Sequence, residues 1–412
     1  MPAACRINQR ALNNNKGIIA LIVLLGLAGG VFWATADDDM RRLALNLPTD
    51  SNVLFWSSDQ RDAAFRAMDR LPVLSESRVI PAGGEVYPLP EGEPLDVGVD
   101  VDAFMTSQHA AALVIVHNGK VRLEKYGLDF GPDGRWTSFS VAKSFTSTLV
   151  GAAIQDGYIK SVDDMVSDYI PDLKGSAYDN VTIRQLLTMT SGVAWNEDYA
   201  DPQSDVALFN SHKADPGVDV TVSYMRQLPA EAEPGTKWVY KTGETNLIGV
   251  LASSAANKPL AEYLSEKIWI PFGMQQDASW MLGSTDHEIG GCCVQAATRD
   301  YARFGLFMLG GGVAGGEQVL PEGWIAEATT KQVDIGRPGA GYGFQWWTLD
   351  DGAYIAQGIF GQGIFIDPNR QLVIASNGNW PQATDSQGGT QSKDRLAFFR
   401  QVQQAIDAEA AR

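Results

Sequence analysis

A helix that is apolar on nearly every face constrains the fold of this 412-residue chain more than any other feature. Residues 146–154 are small or apolar almost throughout, and Ser140 and Lys143 lie just before them, at the predicted helix start. A helix without a polar face has to be buried, so we expect it at the centre of a domain. Lys143 then lies at the edge of a hydrophobic core, where an amine needs a specific role.

The spacing of Ser140 and Lys143 places a hydroxyl and an amine about one helical turn apart on the same face. Partial desolvation disfavours the ammonium form of a lysine and lowers its pKa, so that a neutral amine can take a serine proton near neutral pH. An isolated match to this spacing is more often a capped, solvent-exposed helix start, but the apolar stretch that follows disfavours that alternative. We therefore predict Ser140 as a nucleophile and Lys143 as its base.

Seven stretches of the chain carry a resemblance to one family, in the family's order. They are SVAKSF at 140–145, VTIRQLLTMTSG at 181–192, PG at 234–235 with YKTGETN at 240–246, IPFGM at 270–274, TRDYARFG at 298–305, YGFQWW at 342–347 and GIFGQ at 358–362. In these stretches the sequence resembles the serine β-lactamase and penicillin-binding superfamily. Within it, the chain is most similar to class C-like esterases and 6-aminohexanoate-dimer (nylon oligomer) hydrolases.

The resemblance implies an α/β (α+β) fold of the β-lactamase/transpeptidase type, an antiparallel sheet flanked by helices with an inserted, mainly helical subdomain. The sequence pattern agrees, because residues 111–126 alternate around Asn118 and Gly119 and predict a hairpin. Further strands are predicted at 341–347, 354–355, 363–366 and 372–377, and helices at 247–255, 298–309 and 393–408. Strands from both ends of the chain must pair in one sheet, and we expect the active site where this sheet meets the helical subdomain.

The resemblance also implies Tyr240 as the second catalytic residue. A nearby Lys143 ammonium would favour the phenolate of Tyr240, which would take the Ser140 proton and deliver it to the leaving group. The backbone N–H groups of Ser140 and Ile359 would form the oxyanion hole. Two alternatives stay open: Tyr240 as a core residue, and the glycines around Ile359 as a bulge or a twisted strand without a catalytic role.

The substrate is constrained by two departures from the family's motifs. Thr242 stands where penicillin-recognising relatives carry an asparagine, and Gln357 with Gly358 replaces the lysine or histidine motif that grips a substrate carboxylate. These losses disfavour β-lactams and D-Ala-D-Ala peptides and favour a linear amide or a short ester. Predicted substrate contacts are Trp195, Trp346, Gly358, Gly361 and Gln362, with Trp347 as a further candidate; each tryptophan could equally be core packing.

Other chemistries find less support in the sequence. The four histidines match no metal-binding pattern, so neither a metal nor another cofactor is predicted. Cys292 and Cys293 are adjacent, which disfavours a bridge between them, and we expect two buried thiols. A net charge of −17 speaks against nucleic acid as a partner. Two alternatives to a hydrolase remain, an acyltransferase of the same superfamily and a non-catalytic ligand-binding protein.

The N-terminal residues predict export. Residues 1–16 are a basic segment, 17–36 an apolar stretch long enough for a transmembrane signal anchor or a signal peptide, and 37–100 a linker with an N-terminal arm. The hydrolase domain is predicted at 101–408. The charge asymmetry places the catalytic domain outside the bacterial inner membrane, anchored to it, or in the periplasm or medium if the chain is cleaved after Ala36.

Overall fold

The computed structural model describes residues 30–71, 73–74 and 76–412. The chain divides into two compact units, Met1–Leu47 and Pro48–Arg412. In the first unit residues 30–35 are helical and the helix Asp38–Leu45 follows. The side chain of Asp37 caps this second helix by accepting a hydrogen bond from the Met40 N–H.

The structure contradicts the predicted membrane-anchored or exported location. No helix within residues 30–71, 73–74 and 76–412 is both long enough and apolar enough to cross a membrane. The basic segment 1–16 and residues 17–29 of the predicted span lie outside the described residues. The described end of that span, residues 30–35, is helical only up to a bend at Ala36, and the helix that follows begins with acidic residues. A spanning helix needs about 20 continuous apolar residues, which the described part does not supply.

The strands of the second unit form two antiparallel sheets and a small hairpin. They are β1 (Ser77–Ile80), β2 (Ala110–His117), β3 (Lys120–Tyr126), β4 (Arg135–Thr137), β5 (Ala278–Met281), β6 (Val294–Ala297), β7 (Val313–Ala314), β8 (Glu317–Gln318), β9 (Ala340–Tyr342), β10 (Trp347–Leu349), β11 (Tyr354–Gln357), β12 (Gly363–Asp367) and β13 (Leu372–Gly378). The 7-stranded sheet has the order β3-β2-β13-β12-β11-β10-β9, and the 4-stranded sheet the order β1-β5-β6-β4. β7 pairs with β8.

The large sheet joins the two ends of the second unit, as predicted. β2 pairs with β13, so that Ile115 lies opposite Ile374. The predicted hairpin at 111–126 is confirmed as β2 and β3. The predicted strand 341–347 is instead broken into β9 and β10 by a turn in which Gln345 has a φ of 63°. The Gln345 side chain holds this turn, because it accepts from Thr245 Oγ1 and donates to the Leu187 carbonyl.

Helices cover both faces of the large sheet. The helices of the second unit are Ser58–Ala64, Val101–Ser107, Ala142–Gln155, Val166–Tyr169, Ile183–Leu187, Asp205–Phe209, Val220–Met225, Thr242–Ala256, Leu260–Leu264, Ile270–Phe272, Thr298–Leu309, Trp324–Thr329 and Gln391–Ala410, with a π-helical turn at Ser265–Trp269. Side chains alternate along the strands, so Ile115 and Ile374 pack with Phe398 of the C-terminal helix, while Val114 and Val373 pack on the opposite side. The helix Thr298–Leu309 is confirmed at its predicted bounds.

The helix Ala142–Gln155 is the buried centre of the unit. Its Phe145 ring stacks on Phe304, with ring centroids 3.8 Å apart. Gly151 faces Trp324 so closely that an added Cβ would lie 2.6 Å from the indole. The predicted central position of this helix is therefore correct, and most helices of the unit lie in the chain between β4 and β5, as a helical insertion.

The segment before β2 packs against the core of the second unit. The buried Arg61 guanidinium donates to Asn379 Oδ1 at 2.9 Å and to the Trp56 carbonyl at 2.6 Å. The neighbouring Phe65 ring contacts Phe139, with centroids 4.9 Å apart. These contacts fix the segment beside the turn that carries Ser140.

Candidate active site

Ser140 lies in a short 3₁₀ turn, Phe139–Val141, between β4 and the central helix. Phe139 has a φ of 41°, a backbone conformation that is costly for a residue with a bulky side chain. Its ring is held between Phe65 and Phe360, at centroid distances of 4.9 and 5.7 Å. The aromatic packing therefore stabilises a strained turn that presents Ser140, partly exposed, to a cavity.

The end of β11 lies directly against this turn. A Cβ added to Gly358 would come within 2.5 Å of the Ser138 carbonyl oxygen, so only glycine allows the approach. Among the described residues, neither the N–H of Ser140 nor that of Ile359 donates to a protein acceptor. Both residues line the same cavity. Two free backbone donors are thus available beside the Ser140 hydroxyl, as the prediction of an oxyanion hole requires.

Lys143 is buried, with 1% of its surface exposed. Its Nζ donates to Thr242 Oγ1 at 2.9 Å and to the Gly291 carbonyl at 3.1 Å. Desolvation by burial lowers the pKa of Lys143 to about 8, although the nearby charge of Glu197 acts in the opposite direction. About a tenth of the amine is therefore neutral at pH 7 and about half at pH 8, which fits the predicted role as a base.

Tyr240 lies beside the lysine, with the Lys143 Nζ 5.3 Å from the centre of its ring. The ring stacks on Trp347 at a centroid distance of 5.6 Å. Desolvation and the charge of Glu197 raise the pKa of the Tyr240 phenol well above its usual value, and the Ser140 hydroxyl lowers it only in part. This direction is opposite to the predicted phenolate: Tyr240 is a neutral phenol, able to donate a proton but poorly suited to take one first.

Glu197 is a residue of the site that the sequence analysis missed. Its carboxylate accepts hydrogen bonds from the Thr242 N–H at 2.9 Å, from Tyr199 at 2.8 Å, and from the Thr242 hydroxyl and the Trp195 indole. Because Thr242 also accepts from Lys143, a continuous hydrogen-bonded path joins the lysine to Glu197. The loop 196–203 has no motif. The sequence could have indicated Glu197 only as an acidic residue two positions after the predicted contact Trp195.

The Gly291 carbonyl, the second acceptor of Lys143, is fixed by close packing of the backbone around Gly291. Gly291 donates its N–H to Asn246 Oδ1 at 2.8 Å, and an added Cβ would come within 2.8 Å of both that oxygen and the Lys143 Nζ. The next two residues, Cys292 and Cys293, are joined in a disulfide. The expectation of two separate thiols is therefore wrong in this structure.

Two cavities meet at Ser140. The first, of about 640 Å³, has polar walls that include Glu197, Tyr240, Arg337 and Arg395. The second, of about 470 Å³, is lined largely by apolar side chains from separate parts of the chain, among them Leu54, Met68, Val206 and Met281. Ser140, Tyr199 and Ile359 contribute to both walls. The candidate site is thus a polar cavity and an apolar cavity that share the Ser140 position.

The predicted substrate contacts separate into two groups. Trp195 lines the apolar cavity and Gly358 the polar one. Trp346 is fully buried, stacks on Phe304 and lines neither cavity. The adjacent Trp347, a further candidate, lines the polar cavity.

Gln362 and Gly361 also lie away from both cavities. Gln362 is fully buried, and its side chain donates to the Gly378 carbonyl at 2.9 Å, which ties β12 to β13. Gly361 packs against the Trp380 indole, where an added Cβ would lie 2.7 Å from Nε1. Both residues lie behind the Ile359 turn, and neither lines the polar or the apolar cavity.

The polar cavity contains two cations that the motif analysis did not anticipate. The buried Arg395 donates to Gln357 Oε1 at 3.0 Å and to the Gln362 carbonyl at 3.0 Å. The Arg337 guanidinium lies 5.9 Å from the Trp347 ring centre. β11 lacks the family's lysine or histidine motif, but Arg337 from a loop and Arg395 from the C-terminal helix line the polar cavity. In the described part of the chain, no cluster of three or more histidine, cysteine or acidic side chains could hold a metal ion.

Comparison with known sequences agrees with this geometry. The sequence model of the family described as Beta-lactamase matches residues 100–394. The 6-aminohexanoate-dimer hydrolase of Paenarthrobacter ureafaciens is 30% identical over 314 residues, which cover 72% of this chain and 79% of that relative. A Beta-lactamase of Pseudomonas fluorescens is 28% identical over 184 residues, covering 42% of this chain and 48% of that relative.

Solved structures share the fold. A Bacillus anthracis protein assigned to the 6-aminohexanoate-dimer hydrolases superposes with a TM-score of 0.70 at 22% identity, covering 85% of this chain and 94% of that chain. EstCE1, described as a hydrolase with promiscuous acyltransferase activity, gives a TM-score of 0.57 at 15% identity, covering 74% of this chain and 96% of that chain. The predicted β-lactamase/transpeptidase-like fold is confirmed.

Proposed function

Because the chain belongs to the β-lactamase family, whose hydrolases share this fold, we propose that it cleaves a linear amide or a short ester through an acyl-enzyme at Ser140. One observation carries the proposal. The Lys143 amine, buried and with a pKa lowered to about 8, lies one turn from the Ser140 hydroxyl and beside the Tyr240 phenol. A buried lysine with this pKa is suited to general-base chemistry, which a purely structural ion would not require.

The first half-reaction begins with the neutral Lys143 amine. It takes the proton of Ser140 Oγ as this oxygen forms a bond to the substrate carbonyl carbon. Negative charge develops on the carbonyl oxygen, and the N–H groups of Ser140 and Ile359 donate to it. Each such donor typically contributes about 2.7–4 kcal/mol to lowering the barrier.

Tyr240 acts on the leaving group. As the bond from the carbonyl carbon to nitrogen or oxygen breaks, the phenol donates its proton to the departing atom, and the Lys143 ammonium returns a proton to the phenolate. The acyl group stays on Ser140. Water then attacks the acyl carbon and gives one proton to the Lys143 amine. The Lys143 ammonium passes a proton to Ser140 Oγ as the carboxylic acid departs, which restores the serine hydroxyl.

The substrate class rests on two observations. The Paenarthrobacter relative is described as a 6-aminohexanoate-dimer hydrolase, which by its name acts on a linear amide. Thr242 and Gln357 occupy the positions where β-lactam-recognising motifs carry asparagine and a cation, which disfavours β-lactams. An acyltransferase is the second candidate, because the polar cavity of about 640 Å³ has room for an acceptor alcohol or amine after the leaving group departs.

The proposal is tested by turnover of p-nitrophenyl acetate and of the linear 6-aminohexanoate dimer by the full chain and by Ser140→Ala. We expect hydrolysis of at least one substrate, and loss of at least about a thousandfold of kcat in the variant, because removing a catalytic serine abolishes the covalent route. Equal activity of the two proteins would exclude Ser140 as the nucleophile. Added primary alcohols would divert the product to an ester if the chain is an acyltransferase.

A further inference from the structure

We infer that the apolar cavity beside Ser140 binds an uncharged, linear aliphatic acyl chain, whereas the polar cavity binds a charged leaving group. The inference rests on the proposed acyl-enzyme and adds its substrate class. The inferred acyl chain differs from the acyl half of a 6-aminohexanoate dimer, because that half ends in an ammonium group. Three observations support the assignment. They are the position of Tyr240, the charge of the two cavity walls, and the exposed apolar surface of the wall residues 51–55, 68, 73 and 74.

The position of Tyr240 gives the orientation of the substrate. Tyr240 lines the polar cavity and is absent from the wall of the apolar cavity. A phenol that protonates the leaving group has to contact it, so the leaving group lies in the polar cavity. The two cavities meet at Ser140, and the acyl part of the substrate therefore extends into the apolar one.

The charge of the two walls differs sharply. The described residues that line the apolar cavity include no lysine, arginine, aspartate or glutamate. The polar cavity has Glu197, Asp198 and Asp385 together with Arg337 and Arg395. A terminal ammonium on the acyl chain would lose its hydration in the apolar cavity without gaining an ion pair, which is unfavourable. A charged leaving group, in contrast, finds partners of both signs in the polar cavity.

Residues 51–55, 68, 73 and 74 form one wall of the apolar cavity. Leu54, Phe55 and Met68 line the cavity, and Phe55 leaves 62% of its surface exposed at this position. These residues are held against the domain, because Ser279 Oγ donates to Asp69 Oδ2 at 2.8 Å and the Thr137 N–H donates to the Phe65 carbonyl at 2.9 Å. A bound aliphatic chain would cover the exposed apolar surface of this wall. A volume of about 470 Å³ lies within the range of about 300–1,000 Å³ that is usual for small-ligand sites.

The test compares p-nitrophenyl esters that share one leaving group and differ in the acyl chain. The full chain is assayed with the acetate, the hexanoate and the 6-aminohexanoate. We expect kcat/KM for the hexanoate to exceed that for the acetate by about two-hundredfold, since it carries four more methylenes and each buried methylene contributes about fourfold. We expect the 6-aminohexanoate to be at least about tenfold poorer than the hexanoate. Equal values for hexanoate and acetate, or a preference for the 6-aminohexanoate, would overturn the inference.

Two substitutions at Ala207, which lines the apolar cavity, locate the effect. Ala207→Trp fills the cavity and should lower the ratio of hexanoate to acetate at least tenfold. Ala207→Asp supplies a carboxylate and should raise the ratio of 6-aminohexanoate to hexanoate. The matched control is Ala200→Trp, which adds the same side chain to the wall of the polar cavity and should keep both ratios within about twofold of wild type.

The outcomes separate the two proposals. If no ester is turned over in a Ser140-dependent manner, the proposed function fails. If the esters are hydrolysed through Ser140 but Ala207→Trp changes the ratio no more than Ala200→Trp does, only the acyl-chain inference fails. Thermal unfolding of each variant shows whether it is folded, and a misfolded Ala207→Trp leaves the decision to Ala207→Asp, whose unchanged ratio would also overturn the inference.

Discussion

At the scale of single residues, the pKa of Lys143 links the spacing of Ser140 and Lys143 to the proposed base chemistry. Its pKa is lowered to about 8 by burial, and the proposed mechanism requires the neutral amine. Activity should therefore be low below this pKa and rise as the pH increases through about 8. The measurement is kcat/KM for an amide substrate, which hydrolyses negligibly in alkaline buffer, across pH 6 to 10. A profile that is flat, or that falls across this range, would contradict Lys143 as the base.

Glu197 sets the position of that profile. Its negative charge raises the pKa of Lys143 and so opposes the effect of burial. Glu197→Gln removes the charge, so the pKa of Lys143 falls and the rise in kcat/KM moves to lower pH. The matched control is Asp198→Asn, because Asp198 is exposed and its charge is screened by solvent. An unshifted profile in Glu197→Gln would show that Glu197 only holds the loop in place.

Sequence reasoning reached Ser140 and Lys143 because their spacing and the apolar helix are local features. For Tyr240 it predicted a phenolate, whereas burial and the charge of Glu197 raise the pKa of the phenol. Glu197 lies 43 positions before Tyr240, so no local pattern indicates this effect. Trp346 and Trp347 were both candidates, and only Trp347 lines one of the two cavities. Adjacent residues of a strand face opposite sides, and a break in the predicted strand 341–347 decides which of the two faces the cavity.

The helix Thr242–Ala256 shows at the scale of elements how the site is supported from behind. At its start, Lys241 and Glu244 form an ion pair at 3.1 Å with exposed fractions of 1% and 0%. The Lys241 Nζ also donates to Ser191 Oγ at 2.9 Å, and Ser191 donates to Glu244. Two charges without access to water are stable only as a pair.

Lys241→Met tests this support. The change leaves Glu244 buried without its cation, so the free energy of unfolding should fall by about 3–5 kcal/mol, measured by urea unfolding. The double variant Lys241→Met with Glu244→Leu should recover most of the loss, because it removes both charges. Lys237→Met serves as the control, since the Lys237–Glu231 pair is exposed and should contribute at most about 1 kcal/mol. A double variant as unstable as the single one would contradict the ion-pair explanation.

Elements with a clear period were predictable. The hairpin of β2 and β3 follows from alternation around Asn118 and Gly119, and the helix Thr298–Leu309 begins with a stretch that resembles the family. The break between β9 and β10 was not, because Gln345 is held in a left-handed conformation by side-chain contacts to Thr245 and Leu187. Such contacts join residues about a hundred or more positions apart, and no local pattern encodes them.

At the scale of the whole molecule, the large sheet brings remote segments to one place. Leu54 precedes the sheet in sequence, Ser140 follows β4, and Arg395 belongs to the C-terminal helix, yet all three line the two connected cavities. The family resemblance predicted the sheet and the position of the nucleophile. The sequence predicted the wall residues Trp195, Trp347 and Gly358, but not those from residues 51–55, Glu197 and Arg395, because these match no motif.

The most direct test of the central claim is covalent labelling of the full chain with a fluorophosphonate that carries a hexyl chain, followed by peptide mapping by mass spectrometry. A phosphonate of this kind stays bound to an activated serine, because it mimics the tetrahedral intermediate. We predict one label per chain, on Ser140, with loss of ester hydrolysis in proportion to labelling. A label on another residue, or ester hydrolysis that persists after Ser140 is fully labelled, would contradict the account.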